Sequence, residues 1–332
     1  MNRRKFIAST SLLGIGSAVM AFPQENQLIK PPALKKGGTV GLVTPASSLT
    51  RSAFEKTLAN IETLGFKVKY SDNLRVTRGF LSGTDAQRLT DLHEMFENGE
   101  VDAIICARGG YGSARLLPNL QADLIKRNAK PLVGYSDITA LHQFIYAKTG
   151  LVTFHGPVGA SDYNDFTRDY MEDLVMKGKK IKIQADEPQV IVPGEAEGQL
   201  VGGNLSLLAS LVGTPYQMTY EGHILFIEEI GESTYRVDRM LTQLVQSGAL
   251  KGVKGIALGY FTNCDAKPGD RGYEQSISLM EVFKDQFEDL GVPVLAGLPF
   301  GHEEHNATLP VGVRAKLDTS KGSIKTLEAA VK

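Results

Sequence analysis

No tryptophan occurs among the 332 residues, and cysteine occurs only twice. Two thiols cannot supply the disulfide framework of a small secreted scaffold. Cys106 sits in the apolar run Ala103-Ile104-Ile105-Cys106-Ala107 and reads as a buried strand residue, so both thiols are expected to be free. Neither sign of charge is in excess: 36 Lys and Arg face 37 Asp and Glu. That balance argues against nucleic acid or an anionic membrane surface as the main partner and leaves a small molecule as the expected substrate. The uncharged stretch from Phe6 to Met20 is shorter than the roughly 20 residues of a membrane span, so no stable membrane insertion is expected. Cofactor signatures are missing too. The glycines after Arg108 lack the G-x-G-x-x-G spacing and no Gly-Lys-Ser/Thr follows them, while His302-Glu303-Glu304-His305 fits no zinc-protease pattern. Neither an organic cofactor nor a metal is expected. There is no internal repeat and no low-complexity tract after residue 21.

What is present begins with Asn2-Arg3-Arg4-Lys5, the apolar stretch, and the small-residue exit Val19-Met20-Ala21. This order reads as an export signal over residues 1–21, cleaved after Ala21, and the adjacent arginines point to the twin-arginine route. The expected location is therefore the periplasm or another exported compartment. No cysteine follows the apolar stretch, so a lipid anchor is not indicated.

Without those 21 residues, 311 of 332 remain, more than one hydrophobic core usually serves, and two domains are expected. From Gly37 the chain alternates strand and helix signals. Strands are expected at 39–44, 67–70, 101–107, 132–134 and 152–155, and helices at 52–64, 84–98, 121–128 and 137–149. Such alternation predicts a parallel sheet covered on both faces, with ligands beyond the C-terminal strand ends. Residues 35–176 form this first unit. Residues 177–196 carry charge and prolines without helical period and read as a linker. A mixed α/β unit follows over 197–320, with strands at 223–227, 256–260 and 292–295, helices at 205–211, 233–246 and 276–290, and a terminal hairpin at 309–317.

Gly134-Tyr135-Ser136-Asp137 follows an apolar strand and enters a helical pattern. Ser136 is there either an N-cap or a nucleophile, whose following amide, that of Asp137, faces a developing negative charge. Arg108-Gly109-Gly110-Tyr111-Gly112 leaves another strand end. It is either a tight turn or a source of a second oxyanion donor at Gly110, with Arg108 beside it as an ion-pair residue or a cradle for a substrate carboxylate. A serine needs a base, and the base needs an orienting partner. His93, His142 and His223 read as structural, and His155 as a minor candidate for substrate contact. His302 follows a strand end that breaks into an irregular loop, where imidazole can be exposed and positioned. Glu228 and Glu229 end an apolar strand and point to opposite faces if that strand continues, so only one can serve the site.

These four segments, with Gly297-Leu298-Pro299-Phe300-Gly301-His302 as the last, together resemble the LD-carboxypeptidase family of serine peptidases, which includes murein tetrapeptide carboxypeptidases and microcin-C self-immunity peptidases. The resemblance runs from about Lys35 to Leu317. It implies Ser136 as nucleophile, Glu228 as the orienting acid and His302 as general base, although the family usually has Glu-Asp where this chain has Glu228-Glu229. It also implies an α/β fold with a flavodoxin-like parallel-sheet N-terminal domain, a smaller mixed α/β C-terminal domain, a site in the groove between them, and a homodimer. The expected reaction is release of terminal D-alanine from peptidoglycan tetrapeptides. A related hydrolase of peptide–nucleotide conjugates and a non-enzymatic periplasmic solute-binding protein are the competing readings.

Overall fold

The computed structural model describes residues 28–268 and 276–332; the expected leader over residues 1–21 lies outside the described residues. The first unit runs β1 (Thr39–Val43), α1 (Arg51–Thr63), β2 (Lys67–Lys69), α2 (Asp85–Glu97), β3 (Ala103–Cys106), α3 (Ala122–Arg127), β4 (Leu132–Gly134), α4 (Thr139–Thr149) and β5 (Thr153–His155). Local chemistry starts the helices where the sequence placed them. The Thr50 hydroxyl accepts the Ala53 amide at the head of α1, and Thr84 with Gln87 forms a reciprocal capping box on α2. β3, β4 and β5 are buried at every position, as strands covered on both faces must be. The five strands pair in parallel in the order β2-β1-β3-β4-β5. This is the flavodoxin-like winding, whose ligand crevice lies beyond the strand ends where the order reverses, between β1 and β3.

The rest of the chain carries α5 (Asp165–Met171), β6 (Lys182–Gln184), β7 (Gln189–Val192), β8 (Glu195–Asn204), α6 (Leu205–Ser210), β9 (His223–Ile230), α7 (Thr234–Gln246), β10 (Gly255–Thr262), α8 (Leu279–Phe287), β11 (Val294–Ala296), β12 (Leu309–Val311), which joins the first sheet, β13 (Arg314–Asp318) and β14 (Ser323–Thr326). The second sheet has the order β6-β14-β13-β8-β9-β10-β11-β7, parallel from β8 to β11 and antiparallel outside them.

Two expectations are corrected here. Residues 177–196 are not a linker, because β6 and β7 occupy the two edges of the second sheet, and β8 begins at Glu195. Their charges and exposed side chains are what edge strands carry, and such short strands leave no periodic signature. Nor is 309–317 a hairpin: β12 pairs antiparallel with β5 of the first sheet, whereas β13 joins β8 and β14 in the second. Alternation reveals a strand but not its partner. α5 is a helix where no element is expected, although Asn164 before Asp165 is a cap followed by an acidic first turn.

The two sheets are joined through α4, which buries ten of its eleven residues. Gln143 donates to the Gly202 carbonyl at 2.8 Å, the Thr139 hydroxyl accepts the Asn204 amide at 2.9 Å, and Tyr146 donates to Gln199 at 2.8 Å. The helix that follows Ser136 is therefore clamped against β8, the neighbour of the strand that carries Glu228.

Candidate active site

Ser136 has φ +62°, one of two non-glycine residues at positive φ among the described residues. An L side chain there costs about 1–3 kcal/mol, and such strain persists only where surrounding structure imposes it. The N-cap reading fails, since Ser136 opens a short 3₁₀ turn (136–138) and the residue before that turn, Tyr135, makes no capping bond. The turn is braced from behind. The Asp137 carboxylate accepts the Ser113 amide at 2.8 Å, and its backbone carbonyl accepts the Ser113 hydroxyl. His142 donates from Nε2 to the Gly134 carbonyl at 2.8 Å.

The glycine loop after β3 lies beside this turn. A side chain at 109 would begin 3.2 Å from the Ser136 Cβ, so glycine permits the close approach. Gly110 has φ +107°, and a Cβ there would meet the Ser47 hydroxyl at 2.4 Å. Neither the Gly110 nor the Asp137 amide donates a hydrogen bond to another described residue. Arg108 is exposed, donates to the Ser48 carbonyl at 2.9 Å, and pairs with no carboxylate among the described residues.

Across the groove, β9 extends to Ile230, so Glu228 and Glu229 do face opposite ways. The two carboxylates then part company. Glu228 is fully buried and its Oε2 lies 2.6 Å from His302 Nδ1. Because a carboxylate can only accept there, Nδ1 carries the proton and Nε2 is left as the basic nitrogen. Glu229 instead accepts from Asn204 at 2.9 Å, the Ser206 amide and hydroxyl at 2.7 Å each, and the Ile230 amide at 2.8 Å. Burial pushes its carboxyl above the usual range against these bonds, and its work is to tie β9 to the head of α6.

The Tyr135 ring packs on His302 with centroids 4.6 Å apart, which brings the residue beside Ser136 into contact with the imidazole. No hydrogen bond joins Ser136 to His302 in this conformation; such bonds often close only when substrate is engaged. The imidazole side chain is 13% exposed and opens on a cleft of about 510 Å³ that Tyr135 and Ile230 also line. Sequence reasoning missed what holds the His302 loop. The Thr262 hydroxyl bonds the His302 carbonyl at 3.1 Å, Asn164 and Thr167 at the head of α5 bond the Glu304 carbonyl, and the Thr167 hydroxyl accepts the Asn306 amide. Asn306 in turn accepts the Gly301 amide at 3.1 Å.

The remaining histidines are placed by their burial. His93 accepts the Gln121 amide, His223 donates to the Glu221 carbonyl, and His305 stacks on Phe166. His155 is fully buried beneath Tyr135 and cannot touch substrate, which corrects that expectation. Burial holds the His142 imidazole down at about 4, and that of His155 well below its usual value, so both are neutral. Cys106 and Cys264 are free, as expected, and both are buried.

Known proteins resemble this chain over most of its length. Residues 40–156 match the LD-carboxypeptidase N-terminal domain and residues 197–317 the LD-carboxypeptidase C-terminal domain. The chain is 41% identical to a probable murein peptide carboxypeptidase of Bacillus subtilis over 91% of its own length and 95% of that protein. It is 34% identical to the murein tetrapeptide carboxypeptidase of Pseudomonas aeruginosa, over 86% of this chain and 94% of that one. Among solved structures, an MccF-like protein from Bacillus anthracis superimposes with a TM-score of 0.79 at 32% identity, covering 90% of this chain and 99% of the other. With both domain matches in order and relatives aligned over nearly their whole length, the chain belongs to the LD-carboxypeptidase family.

Proposed function

We propose that the protein is a serine carboxypeptidase that hydrolyses the L,D-peptide bond releasing terminal D-alanine from peptidoglycan tetrapeptides. The observation that carries this reading is the 2.6 Å bond that His302 Nδ1 donates to buried Glu228, together with a serine held at φ +62° on a strand end beside Tyr135, whose ring packs on that imidazole. Murein peptides are named as the substrates of the two curated relatives, which supports the substrate class.

In the proposed reaction His302 Nε2 takes the Ser136 proton as the hydroxyl attacks the peptide carbonyl. Glu228 stabilises the imidazolium, and the amides of Gly110 and Asp137 receive the oxyanion. His302 then protonates the departing D-alanine amine, and water, activated by the same imidazole, releases the acyl group from Ser136. Arg108, exposed beside the glycine loop, is proposed to hold the terminal carboxylate. The protein is further proposed to act outside the cytoplasm after loss of residues 1–21.

Mass spectrometry of purified muropeptides before and after exposure tests the reading. Tetrapeptide should lose one D-alanine, whereas pentapeptide and C-terminally amidated tetrapeptide should persist. Equal cleavage of the amidated peptide would refute carboxypeptidase action.

A further inference from the structure

Arg88 is 2% exposed and heads the largest fully buried side chains of the described residues, yet nothing in the acyl-transfer scheme uses it. Its guanidinium sits at the switch point of the first sheet, between the loops that leave β1 and β3. Nη1 donates to the Pro45 carbonyl on the first loop and to the Gly112 carbonyl, at 2.9 Å, on the second. Nη2 donates to Asp85 at 2.6 Å, and Asp85 is gripped in turn by Arg115. The two loops are laced together just above: the Ser47 amide donates to the Gly109 carbonyl at 3.3 Å, and the Ser47 hydroxyl accepts the Tyr111 amide at 3.1 Å. Gly110, whose amide is the proposed oxyanion donor, lies against Ser47.

A buried guanidinium is a poor stabilising device, since an apolar side chain of similar volume often serves stability equally well. Its planar fork does something an apolar group cannot, because one fixed object binds two carbonyls and a carboxylate at set angles. Arg88 Nε has no hydrogen-bond partner among the described residues, so there the guanidinium does not use all of its own donors. We infer that Arg88 is a positioning residue of the proposed reaction, which sets the spacing of the Pro45–Ser47 and Gly109–Gly112 loops and thereby aims the Gly110 amide at the oxyanion beside Ser136. This inference rests on the acyl-transfer reading above.

An oxyanion donor acts in the transition state and not in the ground state, so its misplacement lowers kcat and leaves KM nearly unchanged. Removing such a donor outright costs about 100- to 1,000-fold, and tilting it costs less. Arg88→Lys, whose single ammonium cannot span all three acceptors, should lower kcat about 10- to 100-fold per folded molecule, with KM within about threefold. Arg88→Ala should lose more, and added guanidinium ion should restore part of its kcat in a saturable way. Asp85→Ala, which removes the half-exposed acceptor and keeps the guanidinium, should lower kcat several-fold in a protein that folds normally. Folded fraction is read by circular dichroism and tetrapeptide hydrolysis by D-alanine release, with Ser136→Ala as the reference. If that reference retained turnover, the acyl-transfer reading itself would fall. If the reference is inactive but the Arg88 variants keep normal kcat, raise only KM, or lose activity only in step with folded fraction, the positioning role is refuted while the acyl-transfer reading stands. Normal kcat in Asp85→Ala would count against the role in the same way.

Discussion

Adjacent glutamates on β9 face different surroundings, so the same small change at each should produce opposite effects. Glu228→Gln keeps the shape of the side chain but removes the charge opposite His302 Nδ1, and the amide can present a donor where a carboxylate accepted. Loss of imidazolium stabilisation and of the correct tautomer should lower kcat by about 1,000- to 10,000-fold, the scale seen when a triad acid is made an amide. Stability should hardly fall, because Glu228 Oε1 has no partner to lose among the described residues and a buried charge has been removed. Glu229→Gln is the converse. Its carboxylate receives four hydrogen bonds from Asn204, Ser206 and Ile230, and an amide oxygen can keep only some of them. Each buried donor left without an acceptor costs about 1–3 kcal/mol, so a loss of about 2–4 kcal/mol is expected, or about 5–10 °C in Tm. Turnover per folded molecule should remain within about tenfold, since no bond links Glu229 to the imidazole. D-alanine release and thermal melting on both variants form the assay. If Glu229→Gln were the catalytically dead variant, or Glu228→Gln the unstable one, the division of labour between the two carboxylates would be wrong.

Ser136→Ala and His302→Ala should each lose several orders of magnitude in kcat while melting near the parent temperature, as both side chains are only partly buried and belong to neither hydrophobic core; near-normal turnover in either variant removes it from the mechanism. Arg108→Ala should raise KM for tetrapeptide at least tenfold with little change in folding, and an unchanged KM would assign the terminal carboxylate to another group. For pH, burial lowers the folded-state affinity of His142 for protons from about 6.5 to about 4. The unfolded chain therefore binds the proton first, so stability is full above pH 6.5 and falls as pH drops from there to about 4, by about 3 kcal/mol for this group. Urea midpoints measured from pH 7.5 to 4.5 should decline, and His142→Gln should make the slope shallower while buried His155 keeps its own share; an unchanged slope in that variant would show that His142 is not a source. N-terminal sequencing of the native protein should begin near Phe22, and an intact Met1 on cytoplasmic material would reject export.

Much of this molecule was legible in order along the chain. Period and caps located the first unit, because its helices start at Thr50 and Thr84 with local side-chain bonds that need no tertiary partner. Glycine spacing marked the loop beside Ser136, since close backbone approach tolerates no side chain whatever the fold. The family resemblance chose Glu228 over Glu229, but only the paired environments of β9 explain that choice. One faces a histidine 74 residues away, the other the head of α6. Contacts between distant segments leave no local period. That is why β6 and β7 read as a linker, why β12 and β13 read as one hairpin though they serve different sheets, and why α5 went unassigned despite gripping the His302 loop. The sequence by itself determined the strands and helices of the first sheet from β1 to β5 and the glycine turns between them, because those depend on backbone preferences and on side-chain periodicity. Which strand ends meet, which carboxylate reaches His302, and what Arg88 braces were decided only by tertiary structure, because each depends on the sheet order that brings remote residues within hydrogen-bonding distance.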